Sequence, residues 1–124
     1  MLKLIKQKFL WLKELYPFLY AAFKKRKELE LKYDRIASIK SNDILLFATM
    51  KNEGHRLPFF LDYYRKLGVN HFIFVDNAST DDSLLYLKIQ KDVTVFYTEG
   101  SYKDSNFGMH WLNYLLFKYA RGHW

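Results

Sequence analysis

The apolar positions change their period once along the chain. Up to Tyr33 they recur every three or four residues: Leu2, Ile5, Phe9, Leu12 and Tyr16 fall on one side of a helix, with lysines between them. Pro17 interrupts this run and is expected to start a second helix as its first residue, where a missing N–H does no harm. Phe18–Phe23 is apolar again, and Lys24-Lys25-Arg26-Lys27 follows. Residues 1–33 are therefore predicted to be helical in two pieces, within a basic amphipathic extension that reaches residue 42.

From Ser41 the pattern shortens. Ile44-Leu45-Leu46-Phe47-Ala48 is a continuous apolar run, the mark of a strand buried on both faces. Leu57-Pro58 is expected to open a helix that ends near Leu67, with Gly68 as its left-handed stop and Phe59, Phe60, Tyr63, Tyr64 and Leu67 as its core face. His71–Val75 reads as a second strand. Ser79 is expected to cap the next helix, with Asp82 three residues on and Leu84, Leu85 and Leu87 along it. Val93–Tyr97 reads as a third strand and Thr98–Asn106 as a polar loop. The last segment, Phe107 to Ala120, is apolar nearly all round, so it is expected to be buried on most sides. Alternating strands and helices predict an α/β fold over residues 43–124: a parallel, doubly wound sheet.

Composition adds a compartment and an asymmetry. The chain has 124 residues, half of them hydrophobic, and no cysteine, so neither a disulfide framework nor a thiolate metal site is available. The net charge is +7, but residues 1–43 hold eleven Lys/Arg against five Asp/Glu, whereas residues 44–124 hold nine against eight. Basicity confined to one segment reads as a local anchor, not as the stripe of a nucleic-acid-binding surface. Residues 1–33 read either as a helical extension packed on its own domain or, with Phe9, Trp11 and Phe18 among lysines, as an interfacial helix in peripheral contact with an anionic membrane. Charges at Lys3, Lys6, Lys8 and Lys13 break every apolar run before it reaches the length of a signal sequence or of a spanning helix. A cytoplasmic protein, peripheral at the inner membrane face, is the expected location.

Candidate chemistry lies where the first two strands should end: Lys51-Asn52-Glu53 and Asp76-Asn77-Ala78-Ser79-Thr80-Asp81. In an open α/β sheet, ligands bind outside the carboxyl ends of the strands. The first loop holds a single glycine, so it is no dinucleotide fingerprint, and a P-loop is missing. His55, His71, His110 and His123 show no metal-ligand spacing. Ser79 and Thr80 read best as turn and cap residues, and Asp76 and Asn77 as ligand-facing.

Ile44–Asp82, with both loops at this spacing, resembles the start of a family 2 type glycosyltransferase domain of the GT-A fold, in the subgroup with Lys-Asn-Glu and Asp-Asn-x-Ser-Thr-Asp loops. Phe107-Gly108, Trp111, Asn113 and Gly122-His123-Trp124 also resemble the helix leading to that subgroup's third motif, so the likeness covers residues 43–124. It implies a Rossmann-like nucleotide-binding half-domain. Thr49, Lys51, Asn52, Glu53, Asp76 and Asn77 would bind the nucleotide of a sugar donor, most simply a UDP-sugar, for transfer to a surface glycan. The family's Asp-x-Asp motif, which holds Mg2+ or Mn2+, would fall just after Trp124. No catalytic or metal-binding residue is therefore assigned, and the chain alone is expected to be inactive, with exposed apolar surface that favours self-association. The alternative is a non-catalytic nucleotide-binding or membrane-associated module.

Overall fold

The computed structural model describes Lys3, Lys6 and residues 17–123. The apolar stripe from Leu2 to Tyr16 and the final Trp124 lie outside the described residues. The described chain is α/β, with a four-stranded mixed sheet and, among the described residues, four α-helices. Its elements are α1 (Pro17–Lys25), β1 (Glu30–Tyr33), β2 (Leu45–Met50), α2 (Leu57–Lys66), β3 (His71–Asn77), α3 (Ser83–Lys88), β4 (Val93–Thr98) and α4 (Met109–Tyr119). Short 3-10 turns at Arg26–Glu28 and Ile36–Ser38 join the first elements.

Strand order is β1-β4-β3-β2. The parallel core follows the sequence reading: β2 pairs with β3 from Leu45↔His71 to Met50↔Asp76, and β3 with β4 from Phe72↔Val93 to Asn77↔Thr98. The expected all-parallel sheet is corrected by β1, which lies antiparallel on the outer edge of β4. Residues 30–33, expected to be helical, form this strand. Glu30 and Lys32 leave its outward positions charged, a usual way of blunting a sheet edge.

β3 is buried along its whole length, and its alternation divides the core in two. Phe72 and Phe74 face one side with Met50, Leu57, Leu61, Leu87, Val93 and Val95, under α2 and α3. Ile73 and Val75 face the other with Phe96, Trp111 and Leu115, under α4. α1 packs on α4 in turn.

Several helix expectations are corrected. In α2 the buried residues are Leu57 and Leu61, flanked by Phe60 and Tyr64, while Phe59, Tyr63 and Leu67 are exposed. Two aromatic pairs one position apart made either helix face plausible, and the sheet accepts the face that also carries the leucines. α3 begins at Ser83, and its first turn is held by Asp81, whose Oδ1 accepts from the Ser83 amide at 2.9 Å and from its hydroxyl. Ser79 is not its cap. α4 buries Trp111 and Leu115 but leaves Met109, Leu116 and Phe117 exposed, so it is covered less fully than expected. Among the described residues no helix is long and apolar enough to cross a membrane.

Candidate functional site

Because β2, β3 and β4 run parallel, their C-terminal loops meet at one edge of the sheet. A cleft of about 470 Å3 opens there, lined by Thr49, Met50, Lys51, Glu53, Asn77 and Tyr102. Four of the residues expected to face a ligand thus share one cavity: Thr49 from the end of β2, Lys51 and Glu53 from the loop after it, and Asn77 from the end of β3. The other two, Asn52 and Asp76, serve the loops themselves.

Asn52 Oδ1 accepts from the backbone amides of Thr80 at 2.7 Å and Asp81 at 3.2 Å, while its own amide donates to Ser79 Oγ at 2.9 Å. Gly54 N–H donates to Asp81 Oδ2 at 3.0 Å, so the second loop is bound to the first at several points. Asp76 is fully buried, and both its oxygens accept from Ser79, one from the amide at 3.0 Å and one from the hydroxyl. A strand-end aspartate readily turns its carboxylate back onto nearby backbone in this way. The Ser83 hydroxyl, helped by the Ser83 and Gly54 amides and opposed by burial, holds the Asp81 carboxyl below its ordinary pKa.

Asn77 is oriented by its neighbours. Its Nδ2 donates to the carbonyl oxygens of Thr98 at 3.3 Å and Gly100 at 3.0 Å, which fixes the amide nitrogen toward β4 and leaves Oδ1 as the unengaged acceptor. Thr49 Oγ1 is buried without a hydrogen-bond partner. It lies against Gly108, where an added Cβ would sit 2.8 Å from it. An unpaired buried hydroxyl is uncommon in a native core and is found here on the wall of the cleft.

Backbone strain gathers at the same edge. Among the described residues the non-glycine residues with positive φ are Asn52 (52°), Ala78 (54°), Asn106 (54°) and Phe107 (57°), one or two in each of the three loops that follow the parallel strands. Asparagine tolerates this region, but alanine and phenylalanine do so at a cost of about 1–3 kcal/mol each. Such outliers cluster at ligand clamps and switch segments.

The residue that sequence reasoning passed over is Tyr102. It stands in the loop after β4, next to Phe107 with ring centroids 5.7 Å apart, and about half of it is exposed. An aromatic residue in a polar loop directly after the third parallel strand was the available signal. Among the described residues no group of three or more His, Asp or Glu side chains is arranged to hold a metal ion. No family model matches this chain, and neither a curated protein nor a solved structure matches it.

Proposed function

We propose that the cleft binds the nucleotide of a sugar donor, and that residues 43–124 are the Rossmann-like, nucleotide-binding half of a GT-A glycosyltransferase domain that acts on a surface glycan at the cytoplasmic membrane face. The observation that carries this reading is the convergence of Thr49, Lys51, Glu53 and Asn77 on one cavity at the carboxyl ends of parallel strands. The strain in the three surrounding loops adds support, since among the described residues the non-glycine positive-φ positions all fall in those loops.

Each wall has a chemical part to take. Lys51 is an exposed cation suited to a phosphate, and Glu53 an acceptor suited to ribose hydroxyls. Tyr102 offers a ring face on which a base can stack. Asn77 meets the base edge: with Nδ2 given to Thr98 and Gly100, Oδ1 takes a donor from the ligand. Uracil can supply that donor from N3–H. A UDP donor is thus the simplest match to Asn77.

A divalent metal belongs to the family resembled, but the described acidic residues do not fit one. Asp76 is committed to Ser79, and Asp81 to Ser83 and Gly54. Binding is accordingly assigned to direct contacts with base, ribose and phosphate. Calorimetric titration of the 124-residue protein with UDP, GDP, CDP and ADP, with and without Mn2+, tests the reading. Saturable UDP binding that does not require Mn2+ is expected. If no nucleoside diphosphate binds, the reading fails.

A further inference from the structure

We infer that the face shared by α1 and α4 is a docking surface for an anionic lipid membrane. An apolar groove of about 270 Å3 runs between these helices, with Leu19 and Phe23 on one wall and Tyr114 and Phe117 on the other. Its walls leave large apolar side chains in solvent: Phe117 is 51% exposed and Phe23 46%, and Phe18, next to Leu19 in α1, is 64% exposed.

The charge around the groove is nearly all of one sign. Residues 17–28 carry Lys24, Lys25, Arg26 and Lys27, and residues 109–123 carry Lys118 and Arg121. Glu28 is the one acidic residue in these two stretches, and it is engaged by Lys25 at 3.5 Å and by the Trp111 indole N–H at 3.2 Å. Two cations sit directly on the groove's own rings: the Arg26 guanidinium is 3.6 Å from the Phe23 centroid, and that of Arg121 is 4.3 Å from the Phe117 centroid. Apolar rings bordered by guanidinium and ammonium groups match a bilayer surface, where rings enter the acyl boundary and cations meet anionic headgroups. A second copy of the chain would set this collar against an identical one. A nucleic acid would satisfy the cations but leave the rings in water.

The inference is separate from the nucleotide reading and does not depend on it. It also differs from anchoring through the first amphipathic segment, because it requires α4. The test is co-sedimentation of the full chain with phosphatidylcholine vesicles, with and without phosphatidylserine, alongside Phe117→Ser and Arg121→Glu. Circular dichroism on each variant confirms folding, and Lys27→Glu replaces any variant that misfolds. Binding to the phosphatidylserine vesicles is expected, weakened about tenfold or more on neutral vesicles and by each substitution. Three results would overturn it. They are variants that bind as well as the parent does, equal binding to neutral and anionic vesicles, and no binding to vesicles at all, whether light scattering reports a monomer or a dimer.

Discussion

Asn52 Oδ1 lies 2.7 Å from the backbone nitrogen of Thr80, so one side chain from the loop after β2 organises the loop after β3. Asn52 also holds a left-handed backbone that asparagine accepts more readily than most residues. Asn52→Ala is expected to destabilise the protein by about 1–3 kcal/mol, from the lost hydrogen bonds between the loops and the strained φ together. Urea denaturation measures this. Asn52→Gly, which relieves the backbone but lacks the acceptor, is expected to recover part of the loss, and equal stability of all three proteins would contradict the clamp.

Gly108 allows a comparison between strain and contact. Both Gly108 (φ 81°) and Gly122 (φ 79°) are left-handed, but a Cβ at Gly108 would meet Thr49 Oγ1 at 2.8 Å, whereas nothing lies within 4 Å at Gly122. Gly122→Ala is expected to cost about 1–2 kcal/mol, the ordinary penalty of a left-handed alanine. Gly108→Ala is expected to cost more, since the β-branched Thr49 has little room to give. Thermal melts of the two variants rank them, and an equal loss would mean the Thr49 contact is relaxed in solution.

His71 links stability to pH. Its ring is 2% exposed, and Nε2 pairs with Thr94 Oγ1 at 2.8 Å. Burial lowers its pKa below 6.5 and Arg35 adds to that effect, while Asp92 and Asp43 oppose it. The folded state therefore resists protonation that the unfolded chain accepts. The stabilisation is complete above about pH 6.5 and is lost as pH falls through the depressed folded value. Melting temperatures measured from about pH 7.5 to 5.5 are expected to fall, with a smaller slope in His71→Gln. An unchanged slope in the variant would assign the effect to other groups.

Tyr102 and Asn77 separate stacking from hydrogen bonding in the cleft. Tyr102→Ala is expected to weaken UDP binding by about 1–3 kcal/mol, the worth of one base on one ring, with the preference among bases kept. Asn77→Asp removes the donors to Thr98 and Gly100 and is expected to loosen the loop after β4 as well as the binding. Calorimetry on both variants checks this. If Tyr102→Ala binds UDP as tightly as the parent, the base lies elsewhere.

What the sequence disclosed depended on how completely each element is buried. β2 and β3 were legible because continuous apolar runs such as Leu45–Ala48 and Phe72–Val75 have few other uses. β1 was not, since Glu-Leu-Lys-Tyr is short, half charged and preceded by helical periodicity. Only its pairing with β4 makes it a strand. In α2 large aromatics on both faces concealed the leucines that choose between them. The meeting of the two polar loops was visible from their positions after the strands. The division of labour was not, because Asn52 and Asp76 have the same chemistry as ligand-facing groups and turn inward only through contacts with Ser79, Thr80 and Asp81.

The position of β1 also sets an order of assembly. It precedes β2 in the chain yet sits at the opposite margin of the sheet, with Glu30 beside Tyr97 and Leu31 beside Phe96. During synthesis this short ribbon emerges early and has nothing to zip onto until β4 (Val93–Thr98) has left the ribosome. Closure of that margin is a late event, and refolding followed residue by residue by amide protection would find Glu30–Tyr33 among the last segments to acquire it.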